Sequence, residues 1–391
     1  MSTHRYSSTT DLRKFVAPEY IFGAGARHLV GEYARKLGAR RILLVSDPGV
    51  MAAGWCAEVE AALEHANLPY HLFSMVTPNP RDAEVMAGVE AFVSGGCNAI
   101  VAVGGGSPMD CAKGIGIVAA NGGHILDYEG VDRVPQPIPP LICIPTTGGS
   151  SADVSQFSII SAVARQTKIA IVSKTVVPDL ALIDPETLMS MSPYLTACTG
   201  LDALTHAIEA FVSNAQSAMT DLHALEAIRL LGRSLLPAIR DPEAMLPRLQ
   251  VMQASLHAGL AFSNAILGAV HAMAHSLGGR FDLAHGECNA ILLDHVVAYN
   301  LPAARERFAA VAEALGLALA GLERREQEAQ LLTGLRWLKQ EVGITRTLGD
   351  LGVTSADVSE LSDNAFRDPC LLTNPRPTGR DDLATLYGEA L

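Results

Sequence analysis

GAVHAMAHSLGGRFDLAHGEC (268–288) places three histidines and a glutamate in a stretch otherwise rich in small and apolar residues. His271 and His275 are four residues apart, so they share one face of a helix, and His285 follows after a short loop. A lone histidine in apolar surroundings reads most simply as a hydrogen-bonded core residue. Three of them, in a chain with only 12, call for a chemical reason. A second acid–histidine pair stands upstream: Asp202 and His206 in TGLDALTHAIEAF (199–211), again four residues apart. Together these segments read as ligands for a divalent metal. Imidazole with carboxylate suits iron(II) or zinc(II), and ligand type alone does not choose between them.

A different chemistry is written in AVGGGSPMDCAKGIG (102–116). Gly104, Gly105 and Gly106 follow a strand-like run and open a helical one, so backbone can approach a ligand with no Cβ in the way. Ser107 is placed to cap that helix and Pro108 suits its first turn. Amides and dipole at such a helix start can hold a pyrophosphate. The loop is not the GxGxxG fingerprint, since Met109 stands where its third glycine would be. A tight strand–helix turn with no ligand is the equal alternative. FGAGARH (22–28) imitates half a fingerprint, but it lacks the third glycine and the acidic ribose ligand; it reads as a turn into a helix. Asp47 ends the run RRILLVSD and either accepts from an adenosine ribose, favouring NAD over NADP, or caps the following turn.

The elements that must hold these residues fall into two kinds. Strands are expected at 40–47, 68–74, 98–106, 139–147 and 179–185, with helices at 56–65, 83–94 and 109–121 between them. That alternation predicts parallel pairing with both sheet faces covered. Beyond DPETLMSMSP (184–193) the periodicity becomes helical and β-branched runs nearly vanish. The expected organisation is therefore α/β plus all-α: an N-terminal dinucleotide-binding α/β domain at 1–188 and a C-terminal helical metal-binding domain at 189–391. At 391 residues, two cores are the default. A formal charge of -12 argues against nucleic acid or an anionic membrane as partner. No uncharged apolar run approaches the roughly 20 residues of a membrane span. The polar start MSTHRYSSTTDLRKF lacks a signal-peptide core, and seven scattered cysteines with no CxxC pair read as reduced thiols, so a cytoplasmic location is expected.

GGGSPMDCAK, PTTGGSSADVS, LALIDPETL, TGLDALTHAIEAF and GAVHAMAHSLGGRFDLAHGECNAILL resemble, in order, the signature blocks of the iron-containing (group III) alcohol dehydrogenase family. The resemblance covers almost the whole chain. It implies a dehydroquinate synthase-like fold with the active site between the two domains, and four metal ligands at Asp202, His206, His271 and His285. By the same resemblance, His275 is not a ligand but a catalytic residue able to relay a proton. The cofactor contacts implied are Asp47, Asn79, the glycine loop Gly104 to Ser107 with Asp110 behind it, Thr146, Thr147 and Lys168. The cofactors implied are NAD and iron(II), with zinc the alternative, and the substrate is a small primary alcohol or aldehyde. The family also implies a homodimer or larger homo-oligomer. This sequence departs from the family's usual pattern at Asp153, His257 and Asp294, which touches substrate preference and leaves the ligands intact. SSADVSQ also resembles a branch described as dehydrogenase-like regulatory proteins. A slow-turnover regulatory protein, or a glycerol or diol dehydrogenase of the same superfamily, are the alternatives.

Overall fold

The computed structural model of the chain describes residues 13–391. Residues 1–12, most of the polar start weighed against a signal peptide, lie outside the described residues. The strands are β1 (Glu19–Phe22), β2 (Ile42–Val45), β3 (Tyr70–Phe73), β4 (Ala99–Gly104), β5 (Gly130–Val131), β6 (Leu141–Pro145), β7 (Phe157–Ala162), β8 (Thr167–Val172) and β9 (Leu180–Ile183). Six of them form a parallel sheet in the order β1-β9-β6-β4-β2-β3. Strands β2, β4, β6 and β9 are buried along their whole length, which is why they read as continuous apolar runs and not as alternations. Leu43 and Val45 enter the core on one face of this sheet, Ile42 and Leu44 the core on the other. Helices α1 (Val30–Lys36), α2 (Pro48–Ala52), α3 (Trp55–His65), α4 (Asp82–Ser94) and α5 (Gly106–Asn121) belong to this layered part.

Four strands here, β1, β5, β7 and β8, are not expected from the sequence. β1 is only four residues long, lies at a sheet edge and exposes Glu19 and Tyr20, so it carries little apolar signal. β7 and β8 form an antiparallel hairpin, registered from Phe157↔Val172 to Ala162↔Thr167, and with β5 make a second small sheet. The hairpin is hidden because its turn puts the left-handed conformation on Gln166 (φ 51), with no glycine or asparagine to announce it. The helix after the glycine loop also begins earlier than residue 109. Gly105 is its N-cap and α5 starts at Gly106, so Ser107 sits inside the first turn and does not cap it. FGAGARH proves structural: Gly25 (φ 79) turns the chain into a short helix, and buried Arg27 pairs with Asp184, Glu58 and Glu186.

Asp184 then caps a short 3₁₀ turn, Pro185–Ser190, and Ser192 Oγ accepts from Leu195 N at 3.2 Å to start the helical part. That part holds α6 (Pro193–Val212), α7 (Ala218–Arg240), α8 (Met245–Ala265), α9 (Ala269–Phe281), α10 (His285–Asn300), α11 (Arg305–Ala314), α12 (Arg324–Glu341), α13 (Val358–Arg367) and α14 (Arg380–Ala390). Beyond its first turn α6 is buried almost all round, which makes it the central element of this bundle. Among the described residues, no single helix is long and apolar enough to cross a membrane.

Candidate metal centre and cofactor cleft

A cleft of about 820 Å³ runs between the loops that follow β2, β4 and β6 and the helices α6, α8, α9 and α10. Its position at the carboxyl ends of parallel strands is where α/β sheets bind ligands. Asp47, Asn79, Gly105, Gly106, Ser107, Asp110, Thr146, Thr147, Lys168, Asp202, His206, His271, His275 and His285 all line it. Gly104 does not: it is the last residue of β4, and its carbonyl accepts from Thr146 N at 2.9 Å behind the loop.

On the helical side the polar atoms converge on Asp202. Its Oδ1 lies 4.0 Å from His206 Nε2, 3.6 Å from His271 Nε2 and 3.7 Å from His285 Nε2. Edges of about 3.4 Å are what a tetrahedral shell with bonds of about 2.1 Å requires. Asp202, His271 and His285 bring their donor atoms together at ligand distance, and His206 stands beside that set, 4.0 Å from Asp202. Asp202, His206 and His271 are buried. His271 Nδ1–H donates to Glu209 Oε2 at 2.6 Å, which leaves Nε2 facing the Asp202 carboxylate. Burial opposes a charged imidazole, but the bonds to Asp202 and Glu209 prevail and push His271 up to about 9. Burial instead lowers His206 to about 3 and His285 well below its ordinary value, so these two imidazoles stay neutral, the state in which a ring nitrogen can bind a metal. The donor set fits the metal its residue types suggest.

Three further residues shape this centre without standing out in the sequence. Glu209 holds His271 with one oxygen and accepts from Val270 N (2.7 Å) with the other, so it caps α9 while fixing the imidazole. Asn289 Nδ2 donates to Asp202 Oδ1 at 2.7 Å and lies 3.1 Å from the Nε2 atoms of His271 and His285. Asp368 Oδ2 accepts from His275 Nδ1 at 2.8 Å, and its Oδ1 accepts from Cys370 N at 2.8 Å. His275, Asp368 and Cys370 lie within ligand distance of one another. They read as an orienting contact because both Asp368 oxygens already accept bonds and burial drives the Cys370 thiol far up. Glu209 did leave a trace in the sequence, seven residues after Asp202 on the stripe that carries His206. Asp368 left none, since it reaches the site from beyond α13.

The opposite wall belongs to the α/β part. Side chains of Thr147 and Ser150 approach the glycine loop so closely that a Cβ on Gly105 or Gly106 would come within 3.1 and 3.0 Å of them. Asp47 Oδ1 accepts from Val50 N at 2.9 Å and caps α2, and the residue also lines the cleft. Deeper in, burial pushes the Asp110 carboxyl up to about 7 and lowers the Lys168 ammonium. Lys168 Nζ donates to Asn79 Oδ1 at 2.7 Å.

Other residues of the opening motif stay outside the centre. Glu287 accepts from Tyr194 and from Arg346, and Cys288 is a buried thiol. His257 pairs with His223 at 2.9 Å and has no part in this cleft.

Residues 17–185 match the iron-containing alcohol dehydrogenase family, and residues 196–391 match the family's C-terminal part. The chain is 37% identical over 377 residues to the NAD-dependent methanol dehydrogenase of Bacillus methanolicus, covering 96% of this chain and 99% of that one. It is 38% identical over 372 residues to the 1,3-propanediol dehydrogenase of Klebsiella pneumoniae, covering 95% and 96% of the two chains. A crystal structure of 1,3-propanediol oxidoreductase matches with a TM-score of 0.94 at 37% identity, over 97% of this chain and all of that one. With both of its parts matched by the family, and relatives 37–38% identical over nearly its whole length, the chain belongs to the iron-containing alcohol dehydrogenase family.

Proposed function

We propose that this protein interconverts small primary alcohols and aldehydes, using NAD(H) and a divalent metal held by Asp202, His206, His271 and His285, with iron(II) as the native ion. The observation that carries this reading is the placement of that donor set across one cleft from the glycine loop and Asp47. When bound, the metal supplies Lewis acidity at the substrate oxygen and the nicotinamide supplies the hydride acceptor. The chain's own part is to hold the reactants close in a cleft that excludes water. Backbone amides at the start of α5 hold the pyrophosphate, and Asp47 accepts from the adenosine ribose. Phe262 stacks on His206 at 4.3 Å between ring centroids and makes one apolar wall beside the ligands. His275 keeps Nδ1 on Asp368, so Nε2 is the atom that takes the alcohol proton.

Protein purified anaerobically, stripped with chelator and reloaded with iron(II) or zinc(II), is tested with methanol, ethanol, butanol, 1,3-propanediol and glycerol and with the matching aldehydes. Chelator-sensitive, NADH-linked turnover of short primary alcohols is expected, with glycerol poor. A chain that forms no NADH with any of them would not be this enzyme. A diol dehydrogenase is the second reading, favoured by the likeness to 1,3-propanediol dehydrogenases, and the same panel separates it. Intact metal-ligand residues count against a slow-turnover regulatory protein, and turnover with short aldehydes in the same panel separates it.

Cofactor choice has its own expected outcome. Asp47→Asn keeps an N-capping oxygen and removes the charge that repels a 2′-phosphate. The NADPH-to-NADH ratio of kcat/KM should rise about three- to tenfold, the scale of one half-exposed charge contact. An unchanged ratio would assign Asp47 to capping alone.

A further inference from the structure

Asn79 and Lys168, the polar pair on the cofactor side of the cleft, are not positioned by the α/β part alone. Asn79 is held between Pro78 and Pro80 in the left-handed conformation (φ 57). Its amide is used at both ends: Oδ1 accepts from Lys168 Nζ at 2.7 Å, and Nδ2 donates to Asp282 Oδ1 at 2.8 Å and to Leu283 O at 3.3 Å. Asp282 follows the last turn of α9, the helix that carries His271 and His275, and is itself left-handed (φ 55). Its other oxygen lies 3.5 Å from Arg81 Nη2. Two left-handed residues, one from each part of the molecule, thus meet side chain to side chain across the cleft.

The same turn of α9 also presses on Lys168 from behind. A Cβ on Gly278 would lie 2.7 Å from Lys168 Nζ and 2.8 Å from its Cε, and one on Gly279 would lie 2.7 Å from Lys168 N. Glycine at these positions lets β8 and α9 touch and lets the Lys168 side chain lie against α9 while it bonds Asn79. We propose that Asp282, with Gly278 beneath Lys168, is a positioning element contributed by the helical part, which sets the Asn79–Lys168 pair for the nicotinamide half of the dinucleotide. Asp282 does not touch the reacting atoms. It acts through Asn79, and it ties the cofactor seat to the loop that leads into His285. Cofactor affinity then depends on the closed joint between the two parts, and opening that joint releases the cofactor.

This inference rests on the NAD(H) reading above, so the experiment separates the two. NADH binding to the metal-loaded protein is measured by fluorescence titration and its dissociation by stopped flow, with metal content as a parallel readout. Asp282→Gly keeps the left-handed backbone and removes the carboxylate; Gly278→Ala leaves the carboxylate and displaces Lys168 from the opposite side. Both should raise the NADH dissociation constant about fivefold, mostly through faster release, as expected for loss of one hydrogen bond. Metal content should not change. Asp282→Asn, which keeps an acceptor for Asn79 and tolerates φ > 0, should restore most of the affinity. If the unaltered protein fails to bind NADH, the function reading falls. If it binds NADH and the Gly and Ala variants release it at the same rate, or Asp282→Asn is no better than Asp282→Gly, the positioning role is overturned.

Discussion

His271→Ala is expected to lose its metal and its activity together, whereas His275→Ala should keep the metal and turn over slowly. The two residues sit one turn apart on α9, are both buried and are of one chemical type, so any general damage to the helix would strike both alike. Their environments differ. His271 is clamped at Nδ1 by Glu209 and presents Nε2 to Asp202 at 3.6 Å, whereas His275 is clamped at Nδ1 by Asp368, outside the four-donor set. Removing an outer-shell partner of a metal typically weakens binding about 10- to 100-fold, and removing a direct donor should exceed that range. Metal analysis of His271→Ala after dialysis should therefore show a nearly empty site. His275→Ala should retain full metal content while kcat falls roughly 10²-fold, the lower end for loss of a general acid–base group. Normal metal in both variants would refute the ligand assignment.

The difference between these histidines was only half legible in the sequence. Spacing alone groups His271, His275 and His285, and the resemblance to a known family is what set His275 apart. The structure adds the physical basis, because the partner at Nδ1 decides where each Nε2 points. Asp368 supplies one such partner from 93 residues away, a distance over which periodicity carries no information. Glu209 could have been read, since Asp202, His206 and Glu209 form one stripe and are the acids and the histidine of a largely apolar helix. The parallel strands were legible because burial on both faces demands uninterrupted apolar runs. The β7–β8 hairpin was not, although it carries Lys168, because its turn lacks the residues that make hairpins visible. The cleft thus joins a wall written in local signals, the glycine loop and Asp47, to contacts that exist only after the chain has folded.

Asp368→Asn should slow turnover about as much as removing His275, with metal and fold intact. In the native chain the Asp368 carboxylate can only accept, so His275 carries its proton on Nδ1 and offers a lone pair at Nε2. An asparagine amide in that place can donate through Nδ2 instead, which lets His275 take the opposite tautomer and blocks Nε2 with a proton. It also gives up the charge–imidazole attraction that, against the effect of burial, keeps the Asp368 carboxyl below its ordinary range. The side chains are nearly isosteric, and Cys370 N can still find an acceptor in the amide oxygen, so packing gives no reason for unfolding. The expected result is a fall in kcat of roughly 10²-fold with KM for the alcohol changed little, since the residue acts on proton transfer and not on binding. Nitrogen-15 NMR of the imidazole reads the tautomer directly: His275 should be protonated at Nδ1 in the native protein and shift toward Nε2 in the variant. A shifted tautomer with unchanged kcat would remove His275 from the proton path, and an unshifted tautomer with lowered kcat would assign Asp368 a purely structural role.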